Sequence, residues 1–537
     1  MLTDIGTQPL RRKLILYCCV FIVFAAASTV RLYRLNDFPL GAFVDEIFTL
    51  NSSLLLAETP VDPFGHTLQI SPSWGQDHPN LFVYFNLVIL KIFGVSYWST
   101  KLLSVIPGAI AAGLIFLTME RLFNAQVALA SSLLFAFAHW PVRVSRYGWD
   151  VSVMLMTFAG AVWLLVLAMQ TGRVRYAVYA GTAAGLCLYS YLGGRIALLS
   201  LVVFLGLECV LRRDRQAYRE TAGFAIGAAA SALPFVAYYF SRPSEFWART
   251  SGVSVFNTAH PWPVILTNIA RHTLMFHWKG GTFARDNFPG LPMVDPLTGA
   301  LLVGGLIIIG TRGDTLANLL GCTFVLNLAG GVFSISQEDA PYVYRTAAVI
   351  IPLFLLVALG LQWLSERIGT RWLAAVTGGI IALNLYLYFG LEAKNGAAMR
   401  VMTYEPRLLG LEIARDAGPV WLVSPDVLRQ TEVQPGVGER YPETNPAVLL
   451  PPDLRKLAII NFSGRYDMRL SVAGNLERPR DVFFVEAKDI PSQGPAKIIF
   501  KSSDQKMKEA LAKPGISLRY IRNIFGEPLF TVAYLES

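Results

Sequence analysis

Long apolar runs constrain this chain more than any other feature of its sequence. Runs of about 16–20 apolar residues, the length needed to cross the hydrocarbon of a bilayer, recur from Leu14 to about Leu391. Of the 537 residues 54% are hydrophobic and only 15% are charged, a composition too apolar for an ordinary soluble enzyme. After Glu392, charges, prolines and short alternating runs replace the apolar stretches. The sequence therefore predicts a polytopic α-helical membrane domain, 1–391, followed by a soluble α/β domain, 392–537.

The apolar runs predict about 11 transmembrane helices. They lie at 14–32, 102–118, 125–141, 151–169, 177–192, 196–211, 221–240, 296–311, 315–334, 346–364 and 372–391. The run 80–93 is shorter and contains Asn86 and Lys91, which favours an interfacial or re-entrant helix. With that run left out, the basic clusters fall on one face and predict a cytoplasmic N-terminus. The acidic loop residues and the C-terminal domain then share the extracytoplasmic face of the cytoplasmic (inner) membrane.

Cysteines and net charge exclude several classes of protein. All five cysteines fall within apolar segments, so the soluble part has neither a disulfide framework nor the ligand spacing of a metal site. The net charge of +9 arises from arginines and lysines in short loops, which orient a membrane protein and predict no nucleic-acid partner. In the C-terminal domain, buried strands are predicted at 420–423, 457–460, 482–485, 497–500 and 529–532, with a polar helix at 504–512.

An acidic pair follows the first predicted span. Asp45 and Glu46 stand in Gly41-Ala-Phe-Val-Asp-Glu-Ile-Phe, and Asp77-His78-Pro79 closes the same loop. A carboxylate at the membrane surface is a candidate general base for taking a proton from a hydroxyl. The residues alone leave an alternative open, because Asp45 can also serve as the N-cap of the amphipathic helix that follows.

Further charged residues lie on the predicted outer face. Asp150 precedes the fourth span and is either a second functional carboxylate or a helix cap. Four arginines on this face are either membrane-interface anchors or ligands of a lipid phosphate, and they are Arg143, Arg146, Arg195 and Arg345. The loop 241–295 is long and rich in aromatic residues, and its Lys279 can reach a phosphate. That loop is either part of an active-site wall or a structural cap over the helices.

These motifs, in this order, resemble those of the GT-C glycosyltransferases of the protein O-mannosyltransferase and aminoarabinose-transferase type. The resemblance covers 41 to about 195 and includes Ile92-Phe-Gly before the second span and Arg143-Val-Ser-Arg-Tyr-Gly-Trp-Asp before the fourth. It implies a GT-C fold and an inverting transfer of a sugar from a polyprenyl-phosphate donor to an acceptor hydroxyl. It also implies that Asp45 is the catalytic base and that an arginine from the later half of the chain lies near the lipid phosphate. The chain departs from the commonest His-Pro-Pro pattern in having His78-Pro-Asn.

The sequence hypothesis assigns two sets of site residues. The catalytic set is Asp45, Glu46 and Asp150, and the substrate-binding set is His78, Arg143, Arg146, Arg195, Lys279 and Arg345. No Gly-rich nucleotide loop is found or needed, so no cofactor is required, although Mg²⁺ or Mn²⁺ on Asp45 and Asp150 is compatible with the residues. The expected partners are the donor lipid, membrane lipids and an acceptor that is a lipid, a glycan or a protein.

Two competing functions stay open at this point. A polyprenyl-lipid or polysaccharide transporter would share the spans and the outer-face arginines, but it would not need the acidic pair or an outer soluble domain. Inverted repeats or broken helices in corresponding halves would favour transport, and neither is clear in the sequence. An enzyme that transfers a larger glycan, similar to an O-antigen ligase, is the other alternative. The sequence leaves the sugar, the acceptor and the lipid length undetermined.

Overall fold

The structure is a computed structural model that describes residues 10–58, 81–335, 340–402, 404–415, 418–423, 482–490 and 495–535. Its helices are α1 (Leu10–Leu32), α2 (Val44–Glu58), α3 (Leu81–Phe93), α4 (Tyr97–Leu122), α5 (Ala125–Phe137), α6 (His139–Val144), α7 (Val151–Thr171), α8 (Val174–Leu186), α9 (Gly194–Arg212), α10 (Arg215–Phe240), α11 (Pro243–Gly252), α12 (Pro261–Leu274), α13 (Pro296–Gly310), α14 (Thr315–Val332), α15 (Ile350–Ile368), α16 (Thr370–Leu385), α17 (Gly396–Val401), α18 (Tyr404–Arg415) and α19 (Gln505–Leu511). Its strands are β1 (Val420–Val423), β2 (Val482–Val485), β3 (Ala496–Lys501), β4 (Ile516–Arg522) and β5 (Pro528–Leu535).

The long apolar helices are those of a multi-pass membrane protein. Among the described residues, eight helices are long and apolar enough to cross a membrane, namely α1, α4, α7, α9, α10, α14, α15 and α16. Helices α3, α5 and α13 are apolar but shorter, at 13, 13 and 15 residues. The predicted helical membrane fold is thus confirmed, whereas the predicted number of 11 spans stays a prediction.

The predicted span at 125–141 is interrupted at Ala138, which ends α5 and begins α6. The interruption leaves the backbone N–H of His139 without a partner in its own helix, and Asn384 Oδ1 accepts it at 3.0 Å. Asn384 in turn donates to Asp295 Oδ2 at 2.8 Å. Side chains from other helices therefore satisfy the freed backbone group, as a break inside a helical membrane protein requires. The break redirects α6, which carries Arg143.

The helices α8 and α10 pack with their backbones in close contact at two glycines. A Cβ atom on Gly181 would lie 2.0 Å from the carbonyl oxygen of Phe224, and one on Gly227 would lie 1.9 Å from that of Val178. Only glycine fits at these two positions. Small residues at a helix crossing replace the hydrophobic driving force that is absent between helices in lipid.

The C-terminal strands form one mixed sheet in the order β2-β1-β3-β5-β4. The β1 strand pairs in parallel with β2 and β3, whereas β5 is antiparallel to β3 and β4. Leu409 and Ile413 of α18 belong to one core of the sheet, and Met507 and Leu511 of α19 belong to the other. The predicted C-terminal α/β fold is confirmed. The strand β4 was not predicted, and the predicted strand 457–460 lies outside the described residues.

The chain divides into two compact units. The first unit comprises Met1–Leu35, Val61–Phe85 and Lys101–Ala393. The second comprises Asn36–Pro60, Asn86–Thr100 and Lys394–Ser537, so it contains the acidic pair as well as the sheet. The sequence did not predict that segments of the first loop would join the C-terminal part, and the predicted boundary between 391 and 392 stays a prediction.

Candidate active site

The acidic pair lies at the start of α2, where its two carboxylates have different surroundings. Glu46 is buried, and its Oε2 atom accepts the backbone N–H of Phe43 at 2.8 Å. Phe43 immediately precedes the helix, so this contact is the returning bond of a capping box, made by the third helical residue. Asp45 is the second helical residue and is half-buried. Phe43 and not Asp45 therefore occupies the N-cap position, and Glu46 makes the returning bond to it.

The backbone that leads into the acidic pair is held within the same unit. The hydroxyl of Tyr97 lies 2.7 Å from the carbonyl oxygen of Pro39 and 2.9 Å from that of Gly41. The Arg407 guanidinium lies 4.1 Å from the centre of the Tyr97 ring and donates to the carbonyl of Asn36 at 3.3 Å. These contacts fix the segment directly before α2 and hence the position of Asp45. The segment 77–79 with His78, which the sequence placed in the same loop, lies outside the described residues.

The helices α2 and α3 pack on each other through the second unit. Asn86 of α3 donates to the Ser53 hydroxyl of α2 at 3.0 Å. Leu50 and Leu54 of α2 share a small apolar core with Leu90 of α3. The polar Asn86, which argued against a membrane span at 80–93, is thus a buried contact with α2.

Asp150 is fully buried at the start of α7, in the first unit. Its carboxylate makes no capping hydrogen bond to that helix, so a cap is not its role. The preceding Trp149 is pinned by Ser104, which accepts its N–H at 3.0 Å and donates to its carbonyl at 2.7 Å. Trp149 also packs against Tyr344 with ring centres 4.8 Å apart.

Arg143 is buried in an ionic cluster with Glu392. Its Nη1 atom lies 2.6 Å from Glu392 Oε2, and its guanidinium donates to the carbonyls of Ala284 and Arg285 at 3.3 Å each. His139 Nδ1 lies 3.6 Å from the other carboxylate oxygen of Glu392. Burial opposes the charge on Arg143, but Glu392 and three nearby tyrosines, Tyr147, Tyr388 and Tyr344, together outweigh it and raise the pKa of the guanidinium. The cluster joins α6 to the loop before α13 and to the end of the last membrane helix.

Arg146 is fully buried at the C-terminal end of α1. Its Nη1 atom lies 2.9, 2.6 and 2.8 Å from the carbonyl oxygens of Val30, Arg31 and Tyr33. A cation at this position satisfies the carbonyls left open at the end of a helix. The guanidinium also lies over Tyr388, at 5.5 Å from the ring centre, within the π-helical turn that continues α16.

Arg195 and Arg345 are half-buried and lie against aromatic rings. Arg195 lies 3.9 Å from the centre of the Phe246 ring and donates to the Phe246 carbonyl at 3.1 Å. Arg345 lies 4.2 Å from the centre of the Tyr342 ring. Lys279, the remaining predicted ligand, is exposed. These three cations are more accessible than Arg143 and Arg146.

His272 holds the segment that carries Arg345. Its Nε2 atom accepts the N–H of Tyr342 at 3.0 Å, and its Nδ1 atom lies 2.7 Å from the carbonyl oxygen of Asn268. Burial lowers the pKa of His272 to about 4, and the nearby charges of Arg345 and Arg271 act in the same direction. The ring is therefore neutral at neutral pH, as its acceptor role toward Tyr342 requires.

The sequence hypothesis missed Arg285. Its guanidinium lies 5.0 Å from the Trp149 ring centre, 5.2 Å from that of Tyr344 and 5.1 Å from that of Phe283, and it pairs with Asp286. Burial raises the pKa of Tyr344 well above its usual value. The sequence signal for this residue was the run Arg285-Asp-Asn inside the aromatic loop. The rings around its guanidinium come partly from distant segments, and Trp149 lies 136 positions before Arg285. Asp150 thus directly follows Trp149, one of the three aromatic residues that surround the Arg285 guanidinium.

Metal binding is not decided by this geometry. Within the ranges that the structure describes, no three His, Cys, Asp or Glu side chains come together as a metal site. Asp45 belongs to the second unit and Asp150 to the first. The divalent ion that the sequence allowed on these two carboxylates stays a prediction.

Comparison with known proteins supports the sequence resemblance. Residues 77–238 match the family model of dolichyl-phosphate-mannose-protein mannosyltransferases, while a search of curated protein sequences found no match. The chain is similar to the structure of ArnT from Cupriavidus metallidurans bound to undecaprenyl phosphate. The two share 13% identity and a TM-score of 0.52, over 96% of this chain and 97% of ArnT. At this identity the likeness shows a shared fold.

A second similar structure is the archaeal oligosaccharyltransferase AglB from Archaeoglobus fulgidus, in complex with an inhibitory peptide and a dolichol-phosphate. It shares 13% identity and a TM-score of 0.45, over 98% of this chain and 75% of AglB. The family match over 77–238 and the fold shared with ArnT bear out the predicted resemblance to the GT-C glycosyltransferases.

Proposed function

We propose that this protein is an inverting glycosyltransferase that moves a sugar from a polyprenyl-phosphate donor to an acceptor hydroxyl. The observation that carries the proposal is that the two carboxylates of the acidic pair, Asp45 and Glu46, occupy different positions at the start of α2. Asp45 is the second residue of α2 and not its N-cap, while the Glu46 carboxylate makes the returning capping bond, so the N-cap role does not account for Asp45. The structural neighbours support a lipid donor, because ArnT was solved with undecaprenyl phosphate.

The proposed reaction balances through one proton transfer and one displacement. Asp45 takes the proton of the acceptor hydroxyl, whose oxygen attacks the anomeric carbon from the side opposite the phosphate. The bond between that carbon and the phosphate oxygen breaks, and the lipid phosphate leaves with the electron pair. Guanidinium groups stabilise the charge that develops on the phosphate. We assign this role first to Arg345 and Arg285 and next to Arg195 and Lys279.

We further propose that the N-terminus lies in the cytoplasm and that 392–537 is an extracytoplasmic domain after the catalytic domain 1–391. The support is the clustering of basic residues in loops on one face under the span assignment from the sequence. The site would then face the outer side of the inner (plasma) membrane. A reporter fused after Ser537 that is active only in the cytoplasm would contradict this orientation.

The variant Asp45→Asn tests the proposal. Asparagine has nearly the size of aspartate but cannot take a proton, so we expect turnover to fall by about 10²–10⁴-fold. The melting temperature should be nearly unchanged, because Asp45 is not the N-cap of α2 and the contact of Glu46 with Phe43 is kept. Turnover is measured in vesicles with a panel of undecaprenyl-phosphate pentoses, hexoses and amino sugars, as released undecaprenyl phosphate by mass spectrometry.

The matched control is Glu46→Gln, which keeps an acceptor for the Phe43 N–H and removes the neighbouring charge. We expect a much smaller loss than for Asp45→Asn. Full turnover in a well-folded Asp45→Asn protein would rule out the proposed base. Lipid translocation without sugar transfer, unchanged in Asp45→Asn, would instead support the transporter alternative.

A further inference from the structure

The helix α12 has two chemically distinct faces. Its buried face consists of Val264, Ile265, Asn268 and His272. The opposite face is exposed and carries no charged residue, because Arg271 of the same helix is half-buried. This exposed face consists of Trp262, Pro263, Leu266, Thr267, Ile269, Ala270, Thr273 and Leu274. A helix that turns one side to water normally places charged residues there. We call this exposed set the α12 apolar face.

The buried face of α12 is fastened to one end of a membrane-spanning helix. Asn268 donates to the carbonyl of Val332 at 3.0 Å and to that of Ser334 at 2.8 Å. Val332 is the last residue of α14, a candidate span. Val264 and Ile265 pack into a small core beside Val332. The helix α12 therefore lies at the level where α14 leaves the membrane.

The length and the flanking aromatic residues of α12 suit that level. Its 14 residues extend for roughly 21 Å, which is too short to cross about 30 Å of hydrocarbon. Trp262 is 69% exposed at its first turn, and Trp278 is 77% exposed beyond its C-terminal end. Beside it, the exposed rings of Phe256 and Phe333 stack with their centres 6.2 Å apart. Aromatic side chains of this kind concentrate at the boundary between headgroups and hydrocarbon.

We propose that the α12 apolar face is inserted into the lipid interface, so that α12 lies in the plane of the membrane. The occupant is lipid, because α12 packs against the end of α14, a candidate span with exposed apolar side chains of its own. Val325 of α14 is 64% exposed, and Phe333, directly after the helix, is 46% exposed. A Trp-flanked amphipathic helix with an uncharged exposed face binds a bilayer through its buried apolar area. This inference rests on the membrane spans and not on the proposed transfer reaction.

Insertion of α12 has a consequence for the segment after α14. The His272 ring on its buried face accepts the N–H of Tyr342, and Arg345 stacks on that same tyrosine. Lipid on one side of α12 thus fixes the helix, and the helix fixes the segment that carries Arg345.

Fluorescence quenching tests the insertion in the purified full-length protein. The wild type and Trp262→Phe are reconstituted in phosphatidylcholine vesicles with ordinary or brominated acyl chains, and the difference between their emission spectra isolates Trp262. Phenylalanine keeps the site apolar, so the variant should fold normally. We expect at least half of this difference signal to be lost in brominated lipid, since bromine quenches only indoles at hydrocarbon depth.

The matched control is Trp421→Phe, which reports on an indole in strand β1, an element that cannot lie in hydrocarbon with its sheet edges open. Its difference signal should be equal in both vesicles. A Trp262 signal that persists in brominated lipid overturns the proposal. Aqueous iodide then shows what the face meets, because a quenched signal means water and an unquenched signal means covering protein.

Discussion

Two buried arginines, in α6 and just after it, and the half-buried arginines on aromatic rings look alike in sequence and differ in structure. Arg143 and Arg146 are 2% and 0% exposed, and they are engaged by a carboxylate and by backbone carbonyls. Arg195 and Arg345 are half-buried and rest on rings. A guanidinium has only five N–H donors, and those of Arg143 and Arg146 are buried inside the fold. Accessible donors are what a lipid phosphate needs, so the comparison favours the second group as ligands.

The largest expected effect is a loss of folding stability in the variant Arg143→Met. Methionine fills part of the space but leaves the buried Glu392 carboxylate without its guanidinium, which typically costs about 3–5 kcal/mol. Denaturant unfolding in detergent measures the loss.

The control is the double variant Arg143→Met with Glu392→Gln, which removes both charges and should recover most of the lost stability. A stable Arg143→Met protein with weakened lipid binding would break the comparison, because it would place Arg143 among the phosphate ligands.

The second largest expected effect is weaker lipid binding by the variant Arg345→Ala. A charge-assisted contact contributes about 1.5–3 kcal/mol, so the loss of a true phosphate ligand should weaken undecaprenyl-phosphate binding by roughly ten- to a hundredfold. Stability should change little, because the ring contact is half-exposed. Binding is measured by titration in detergent micelles.

The matched control for Arg345 is Arg367→Ala. Arg367 also lies on an aromatic ring, 3.7 Å from the centre of Trp363, but it stands in the last turn of α15, at the other end from Arg345. Its removal should leave lipid affinity unchanged. Equal losses in both variants would mean that the measured binding is a general attraction between cations and the lipid.

The sequence predicted what depends on composition and local pattern. Apolar length indicated the membrane helices, and short apolar runs in the C-terminal part indicated β1, β2, β3 and β5. It could not predict contacts between distant segments. Glu392 looked like the first residue of a soluble domain, whereas its partner Arg143 lies 249 positions away. The break at Ala138 likewise depends on Asn384, 245 positions from the N–H it accepts.

The capping of α2 shows a local failure of sequence reasoning. The usual capping box has Ser or Thr before the helix, but here that position is Phe43. Asp45 is the better N-cap residue type, so the pattern suggested it for the role. The structure starts the helix one residue before Asp45, which moves Asp45 inside and leaves Glu46 at the position that can reach back. The N-cap position thus lies two residues earlier than the pattern suggested, and this shift gives the two carboxylates different surroundings.

The smallest expected effect is in Arg195→Ala, and it tests whether the half-buried arginines form one group. Arg195 already donates to the Phe246 carbonyl and to the Thr250 hydroxyl, at 3.1 and 3.4 Å, so its donors are partly committed. We expect a stability loss of about 1 kcal/mol from these contacts and a loss of lipid affinity of less than about threefold.

Arg242→Ala is the control, since Arg242 lies 4.5 Å from the centre of the Tyr238 ring at the end of α10. A tenfold loss of affinity in Arg195→Ala, with unchanged stability, would join Arg195 to Arg345 and make exposure alone the property that separates the two groups. The expected result would instead show that uncommitted donors decide which arginine meets the phosphate.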